Sequence, residues 1–206
     1  MSETLLKVDN LGITFGGLKA VQKVNMYLNR GELVGLIGPN GAGKTTMFNM
    51  LTGVYAPTEG SVVFGGKSIA GLDPYKVTRQ GISRTFQNIR LFKELSVLDN
   101  VKVANHGLAK HNLLSSIFRL PSHFKGEAKM EEESLAFLKI FGLDVYKDEL
   151  AKNLPYGMQR RLEIARALAA GPKLLLLDEP AAGMNPQETH DLMELISSFL
   201  SSIIFL

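Results

Sequence analysis

The feature that most constrains this chain is the segment GPNGAGKT at residues 38–45, which has the pattern GxxxxGK[ST]. It follows an apolar run at residues 33–37, typical of a strand buried on both faces of a sheet, and it precedes a helical pattern. Glycines in such a turn let backbone N–H groups surround phosphate oxygens, and the helix N-terminus adds a positive dipole. The segment therefore predicts a phosphate-binding loop in an α/β fold. We expect Lys44 to reach the β- and γ-phosphates of a nucleotide and the Thr45 hydroxyl to bind Mg²⁺.

A second apolar run, LLLL at residues 174–177, ends in Asp178 and Glu179. Because a buried, unpaired carboxylate is costly, a strand covered on both faces can carry adjacent acids only at its exposed end. Open α/β sheets bind their ligands at the carboxyl ends of parallel strands, which is where these two acids would lie. We expect Asp178 to hold Mg²⁺ through water, and Glu179 to orient and deprotonate an attacking water as general base.

Composition narrows the class of protein further. The chain has 206 residues, of which 45% are hydrophobic, and this is enough for one well-packed core. It has no cysteine, which excludes disulfides and thiol catalysis and favours a reducing compartment. The net charge of +3 is not concentrated in a basic block, so no nucleic-acid partner is expected. There is no secretion-signal pattern and no apolar run near the roughly 20 residues that span a bilayer, so we expect any work at a membrane to need a partner.

The patterns along the chain predict one domain over residues 1–206, with an ATP-binding core at 1–90 and 154–206 and a helical lobe at 91–153. The predicted strands are residues 5–15, 20–28, 33–37, 61–64, 82–86 and 173–177, with a last strand within 201–206. The predicted helices are residues 44–51, 127–141, 157–170 and 187–199, and one more that begins at residue 97 after the N-cap Ser96.

Four motifs in this order resemble the nucleotide-binding subunit of an ATP-binding cassette (ABC) transporter. They are the loop at 38–45, the glutamine Gln87, the signature-like segment LPYGMQ at 154–159, and LLLLDEP at 174–180. More narrowly, RTFQNIRLF at 84–92, the segment that begins at residue 154 and DEPAAGMNP at 178–186 resemble the LivG-type ATPases of branched-chain amino acid importers. The resemblance spans about residues 5–196. It implies an α/β P-loop NTPase core with an antiparallel β subdomain and an inserted helical lobe.

The resemblance also implies roles for residues that spacing alone does not assign. Phe15 would stack on adenine, and Gln87 would approach Mg²⁺ and the attacking water and link them to the helical lobe. The signature would contact the γ-phosphate of ATP held by a second subunit, through Tyr156, Gly157 and Met158. The full set of expected ATP-binding residues is Phe15, Gly38, Pro39, Asn40, Gly41, Ala42, Gly43, Lys44, Thr45 and Thr46. The expected catalytic residues are Glu179 and Gln87, and the expected metal ligands are Thr45, Gln87 and Asp178.

The function implied by the resemblance is ATP hydrolysis coupled to the import of branched-chain or related amino acids, with ATP and Mg²⁺ as cofactors. The expected partners are a second ABC ATPase subunit, in a homo- or heterodimer, transmembrane permease subunits and, indirectly, an upstream substrate-binding protein. The expected location is the cytoplasmic face of the plasma (inner) membrane, as a peripheral subunit.

Three positions depart from the family pattern. The usual signature serine is Pro155, the first signature glycine is Tyr156, and the acid of the following loop is Asn185. The family also has a histidine that contacts γ-phosphate after a later strand, and a last strand at 201–206 leaves no room for it, which suggests a truncated or frame-shifted product. The alternatives are therefore a lipopolysaccharide-type exporter ATPase, a soluble ABC protein that acts on DNA or ribosomes, and a product that binds ATP without hydrolysing it.

Overall fold

The computed structural model describes residues 3–106, 121–198 and 202–205. The strands are β1 (Thr4–Phe15), β2 (Leu18–Asn29), β3 (Leu33–Gly35), β4 (Glu59–Phe64), β5 (Lys67–Ser68), β6 (Ile82–Arg84), β7 (Leu174–Leu177) and β8 (Ser202–Phe205). The helices are α1 (Lys44–Leu51), α2 (Pro74–Gln80), α3 (Val97–His106), α4 (Pro121–Ile140), α5 (Tyr156–Ala169) and α6 (Pro186–Ser198). Single 3₁₀ turns occur at Asp144–Tyr146 and Ala151–Asn153.

Contacts divide the chain into two compact units. The first unit comprises Met1–Phe86, Pro172–Pro180 and Ser197–Leu206, and the second comprises Gln87–Gly171 and Ala181–Ile196. The sequence-based boundaries at residues 90 and 154 place α5 and α6 in the ATP-binding core, whereas the contacts group α5 and most of α6 with the helical segments. The division of the domain into core and lobe at those two residues stays a prediction.

The first unit contains two sheets. In the antiparallel sheet the strand order is β2-β1-β4-β5, and this is the antiparallel part that the resemblance implied. The tight turn between β1 and β2 consists of Gly16 and Gly17, whose φ angles of 49° and 91° favour glycine. In the second sheet the order is β3-β8-β7-β6, with all neighbouring strands parallel.

The core of the first unit lies among the antiparallel sheet, α1 and the parallel strands. Its largest fully buried aromatic side chains are Phe48 on α1 and Phe64 on β4. All four leucines of β7 are completely buried, as the apolar run predicts. Burying a side chain of this size contributes about 1.5–3 kcal/mol each, so β7 is anchored firmly enough to fix the residues that follow it.

The second unit is helical over the residues that the structure describes. The Ser96 hydroxyl accepts a hydrogen bond from the N–H of Asp99 at 3.0 Å and donates one to the Asp99 carboxylate at 2.7 Å, so the predicted N-cap of α3 is confirmed. Helix α4 contributes the buried residues Met130 and Leu138. Helix α5 is buried along one side, where it carries both apolar residues and an ion pair.

The predicted strands and helices are present, with ends that differ by a few residues. The part of the predicted helical lobe at residues 107–120 lies outside the described residues, as do residues 199, 201 and 206. Helix α2 was not predicted, although Pro74 directly after Asp73 is a helix-start signal. The burial expected for residues 33–37 is wrong: Leu33 is 53% exposed and Ile37 96% exposed. The strand ends at Gly35 and forms the edge of its sheet, so its apolar residues are covered less than those of β7.

Candidate functional site

The phosphate loop, residues 38–46, joins β3 to α1 in the first unit. Its backbone turns through left-handed conformations at Gly41 and Gly43, with φ angles of 82° and 85°. A side chain at Gly43 would place its Cβ 2.9 Å from the Ala20 carbonyl oxygen and 2.9 Å from Val21 Cγ2. Both the backbone conformation and the space therefore require glycine at this position. The loop is pressed against the beginning of β2, which fixes its shape before any ligand binds.

The loop presents donors from its backbone and from one lysine. The first intrahelical bond of α1 runs from the N–H of Met47 to the Gly43 carbonyl at 2.8 Å, so the preceding N–H groups of the first turn have no partner within the helix. Among the described residues, no side chain caps this helix. The Lys44 ammonium donates to the carbonyls of Gly38, at 2.7 Å, and Pro39, at 3.0 Å, which keeps it over the loop.

The remaining residues of the loop are open to solvent to different degrees. The N–H of Ala42 donates to the Pro39 carbonyl at 3.2 Å and closes a turn. Pro39, Asn40, Ala42 and Thr45 are exposed, whereas Thr46 is half-buried. A loop with its glycines in place, orphan N–H groups and one held ammonium has the donor set that phosphate oxygens require.

The parallel sheet brings Asp178 to the same edge as the phosphate loop. In the register of the sheet, Gly35 of β3, Phe205 of β8 and Leu177 of β7 lie in one row. Asp178 is the next residue after that row, and the phosphate loop also begins beyond it. Because neighbouring strands are about 4.8 Å apart and only β8 separates β3 from β7, the two segments leave the sheet about 10 Å apart.

Asp178 is buried and forms an ion pair with an arginine of the neighbouring strand. Nη2 of Arg84 donates to Oδ2 of Asp178 at 2.8 Å, and both side chains are 5% exposed. The N–H of Asp178 donates to the Thr85 hydroxyl at 3.3 Å. Within the described residues, no hydrogen bond is formed to the other carboxylate oxygen, Oδ1. The carboxylate is thus held at one oxygen and keeps the other for a ligand.

Glu179 has a backbone conformation that is rare outside glycine. Its φ is 45°, one of three non-glycine residues with positive φ in the described chain, and its side chain is exposed. Such a conformation costs about 1–3 kcal/mol and persists only where the surrounding structure imposes it. It turns the chain directly after the buried Asp178, so that the two neighbouring acids have different environments, one buried and one exposed.

Phe15 lies at the tip of the β1–β2 hairpin, where it pairs with Leu18. Its ring is 42% exposed and makes an edge contact with the Tyr55 ring, with centroids 5.3 Å apart. The same hairpin end touches the phosphate loop, because the Ala20 carbonyl lies against Gly43. An exposed, braced aromatic ring on the segment that contacts the loop is suitably placed to stack on a base.

Gln87 opens the second unit and is exposed, and the chain that follows it is held by α5. Nη2 of Arg160 donates to the Gln87 carbonyl at 3.0 Å, and the Glu163 carboxylate accepts from the N–H of Arg90 at 3.1 Å. Nη2 of Arg166 donates to the Arg90 carbonyl. Burial lowers the pKa of the Arg166 guanidinium, whereas the Glu163 carboxylate raises it. One face of α5, at every third residue, therefore fixes the backbone beside Gln87.

The signature segment forms the start of α5. Pro155 is the N-cap, as expected of a residue that needs no N–H donor there, and the helix begins at Tyr156. A Cβ built on Gly183 would lie 3.0 Å from the Tyr156 ring, and one on Gly157 would lie 3.2 Å from Glu188 Oε1. Tyr156 and Gly157 are thus in contact with the segment that precedes and begins α6.

Asn185 and Glu188 form a reciprocal cap at the start of α6. The Asn185 side chain accepts from the N–H of Glu188 at 2.8 Å, and the Glu188 carboxylate accepts from the N–H of Asn185 at 3.1 Å. This arrangement satisfies two backbone donors and fixes the chain next to the signature. Met158, the third signature residue, is half-buried.

The predicted site residues thus fall into two groups. The first unit brings together the phosphate loop, Asp178, Glu179 and Phe15, and the second unit contains Gln87 and the signature. The described residues include no group of three or more His, Cys, Asp or Glu side chains placed to hold a metal ion. In the same part of the chain, no helix has the length and apolar character needed to cross a membrane.

Sequence reasoning missed the residues that hold the site in place. Arg84 contacts both Asp178 and the Oδ1 atom of Asn49 on α1, the latter at 2.6 Å. Arg160 and Glu163 support the backbone at Gln87 and Arg90. One signal was available: an arginine within a predicted strand of a covered sheet needs a buried anion, and Asp178 was the acid expected at that edge.

The sequence matches known proteins over most of its length. Residues 21–182 match the family described as ABC transporter. The chain is 47% identical over 197 residues to the high-affinity branched-chain amino acid transport ATP-binding protein LivG of Escherichia coli (strain K12), and this covers 96% of the chain and 77% of that protein. It is 46% identical over 201 residues to the corresponding protein BraF of Pseudomonas aeruginosa, covering 98% of the chain and 79% of that protein.

Solved structures share the fold. The ADP conformation of MJ1267, an ATP-binding cassette of an ABC transporter, has a TM-score of 0.82 at 30% identity and covers 99% of this chain and 81% of that one. A dimeric post-hydrolysis structure of the ATP-binding cassette MJ0796, bound to ADP and Pi, has a TM-score of 0.80 at 25% identity and covers 98% and 87%. The predicted fold class and the predicted resemblance are confirmed.

Proposed function

The chain belongs to the ABC transporter family, and we propose that it is the ATP-binding subunit of an importer of branched-chain or related amino acids. ATP hydrolysis is the activity of this family. The observation that carries the proposal is the common sheet edge of the first unit, where the phosphate loop and Asp178 emerge about 10 Å apart. That spacing suits a phosphate chain held by the loop at one end and a metal-binding carboxylate at the other.

The phosphate loop binds the nucleotide. The N–H groups of the loop and of the first turn of α1 surround the β-phosphate, and the Lys44 ammonium moves from its own loop carbonyls to the β- and γ-phosphates. Phe15 stacks on the adenine. These groups make the loop an anion site with one movable charge.

The residues present fit Mg²⁺, because Asp178 keeps one carboxylate oxygen available and Thr45 exposes its hydroxyl. Asp178, Thr45 and Gln87 would hold the ion, which neutralises charge on the phosphates when it is bound. Glu179 orients the attacking water and accepts its proton. Its exposed side chain and imposed backbone conformation hold the base apart from the ion pair of its neighbour Asp178.

The second unit acts on ATP held by another subunit. The N-terminus of α5, with Tyr156, Gly157 and Met158, presents N–H groups to the γ-phosphate of that ATP, as a helix N-terminus does for any anion. Pro155 supplies no N–H and no hydroxyl, so this contact has one hydrogen bond fewer than a serine would give. The resulting assembly is a head-to-tail dimer with two ATP molecules in the interface.

Subunits of this family dimerise and work with transmembrane permease subunits, and they are peripheral components of the membrane. We place this subunit on the cytoplasmic face, with permease partners and an upstream substrate-binding protein. Import of branched-chain amino acids rests on the likeness to LivG and BraF. That likeness does not support an exporter ATPase or a soluble non-transport protein.

The first experiment measures ATP binding by calorimetry with Mg²⁺ present. Lys44→Ala removes a charge-assisted hydrogen bond to phosphate worth about 1.5–3 kcal/mol, so the affinity should fall about 10- to 100-fold. Lys67→Ala, which removes an exposed lysine from β5, is the matched control and should bind as the unchanged chain does. No ATP uptake by the folded chain, or equal affinities for all three proteins, would overturn the phosphate-loop assignment.

The second experiment tests the dimer and the base. Glu179→Gln should bind ATP without hydrolysing it and shift the chain from monomer to dimer in light scattering, while ADP should not. Glu149→Gln, at another exposed glutamate, should leave the oligomeric state unchanged. An ATP-loaded Glu179→Gln chain that remains monomeric refutes the head-to-tail arrangement. Uptake of labelled leucine by vesicles that contain the chain with importer permease subunits tests the substrate class.

A further inference from the structure

Arg84 lies between two of the residues that the proposed function gives to Mg²⁺. Its guanidinium uses Nη2 for Asp178 Oδ2, at 2.8 Å, and Nη1 for Asn49 Oδ1, at 2.6 Å. Nη1 also reaches the Thr52 hydroxyl at 3.4 Å. One fork of rigid geometry therefore joins the end of β7 to helix α1, and both contacts lie within the first unit.

The environment of Arg84 restricts its movement. The side chain is 5% exposed, and its guanidinium carbon lies 5.4 Å from the centre of the Phe48 ring and 5.1 Å from that of Phe86. Two aromatic rings and three polar contacts leave a planar group little freedom to rotate. Arg84 itself belongs to β6, whose register with β7 places it beside Leu176, two residues before Asp178.

The second contact leads directly to Thr45. Residues four apart on a helix lie one above the other on the same face, so Asn49 is one turn below Thr45 on α1. The path from Asp178 through Arg84 and Asn49 thus ends on the helix face that carries Thr45. It consists of two short hydrogen bonds and one turn of helix, with no exposed, flexible side chain between them.

We propose that Arg84 is a positioning residue that fixes the spacing of Asp178 and Thr45 and so makes the site selective for Mg²⁺ over the larger Ca²⁺. The inference rests on the proposed function, which assigns these two residues to the ion. Mg²⁺ demands near-ideal octahedral geometry at about 2.0–2.1 Å, whereas Ca²⁺ accepts variable geometry at about 2.3–2.6 Å. A fixed spacing favours the first ion, and a loose spacing removes the advantage.

The charge of Arg84 must be separated from its effect on spacing. A guanidinium near the ion repels any divalent cation, and its removal by itself would strengthen the binding of both Mg²⁺ and Ca²⁺. Because the two ions carry the same charge, this electrostatic change cancels in the ratio of their effects. The ratio of ATP affinity with Mg²⁺ to ATP affinity with Ca²⁺ therefore reports the spacing alone.

The experiment measures that ratio by calorimetry on the full chain, with ATP in Mg²⁺, in Ca²⁺ and in EDTA. Asn49→Ala leaves the Arg84–Asp178 pair and its charge in place and cuts only the connection to α1. Arg84→Lys keeps the charge but cannot reach both partners at once, and Arg84→Met removes the charge and fills the same space. Arg30→Met, which breaks the exposed pair with Glu3, is the control.

We expect the Mg²⁺/Ca²⁺ ratio to fall at least about fivefold in Asn49→Ala and Arg84→Met, the effect of one net hydrogen bond, and by less in Arg84→Lys. Affinity in EDTA should stay within about twofold of the unchanged chain, and Arg30→Met should change neither quantity. If Arg84→Met fails to fold, Asn49→Ala and Arg84→Lys decide the outcome.

An unchanged ratio in Asn49→Ala and Arg84→Lys overturns the inference. So does a parallel loss of affinity in all three solutions, because that result shows a role in folding alone. If the unchanged chain binds no ATP, the proposed function fails and the inference falls with it. If it binds ATP with no preference for Mg²⁺, the nucleotide site stands and the assignment of Arg84 is wrong.

Discussion

Two arginine–carboxylate pairs, one in each unit, share their chemistry and their burial. The Arg84–Asp178 pair has an N–O distance of 2.8 Å with both side chains 5% exposed, and the Arg160–Glu163 pair has a distance of 2.7 Å with exposures of 0% and 2%. The first joins residues on two neighbouring strands, while the second joins residues three apart on one helix.

The two pairs differ in what the carboxylate has left to offer. Both oxygens of Glu163 are engaged, one by Arg160 and one by the N–H of Arg90. Asp178 is engaged at one oxygen only among the described contacts. A carboxylate with both oxygens used supports the backbone, whereas one with an oxygen to spare can bind an ion. Similar pairs thus serve different purposes according to the remaining partners.

The largest expected effect comes from breaking the pair in the second unit. Arg160→Met leaves Glu163 as an uncompensated charge in a buried position and removes the contact to the Gln87 carbonyl. Removing one partner of a buried pair costs about 3–5 kcal/mol, so we expect a loss of that size in the free energy of unfolding, measured in urea. Replacing both residues, with Arg160→Met and Glu163→Leu together, should recover most of the loss.

The adjacent arginine provides the control. Arg161 pairs with Asp191 at 3.7 Å, with the two side chains 26% and 46% exposed. Arg161→Met should therefore cost less than about 1 kcal/mol. Equal losses at the two positions would mean that burial does not distinguish these pairs and would remove the basis of the comparison.

The next effect distinguishes the two acids. Asp178→Asn and Glu163→Gln each convert a charge-assisted hydrogen bond into a neutral one and should each lower the free energy of unfolding by about 1–3 kcal/mol. Only Asp178→Asn should abolish the gain in ATP affinity that Mg²⁺ provides over EDTA, because Glu163 has no oxygen to offer. A similar loss of that gain in both variants would contradict the difference we draw between the pairs.

The comparison also explains what the sequence could and could not predict. The phosphate loop and Asp178 are local patterns, in which the apolar run, the glycines and the acids are neighbours in the chain. The partner of Asp178 is 94 residues away, and it becomes a partner only because β6 lies beside β7 in the sheet. Nothing in a single sequence gives that strand order.

The second pair escaped prediction for a different reason. Arg160 and Glu163 are three residues apart, a spacing that fits a solvated surface pair as well as a buried one. Arg160 and Arg161 are adjacent and chemically the same, and only the packing of α5 buries the first and leaves the second half-buried. The exposure of Ile37 is a similar case, because the apolar run predicts burial but the edge position of β3 decides it.

The smallest expected effect concerns the aromatic rings that accompany each arginine. In the first unit Arg84 lies over Phe48 and Phe86, and in the second the Arg166 guanidinium lies 5.4 Å from the centre of the Phe92 ring, which is 48% exposed. Phe92→Leu keeps an apolar side chain but removes the π-face, and at an exposed site this costs about 0.5–1 kcal/mol. Phe92→Tyr retains the π-face and should cost less, as measured by urea unfolding of both variants. If Phe92→Leu costs the same in an Arg166→Met background, the ring contributes burial alone and the parallel between the two units ends at the ion pairs.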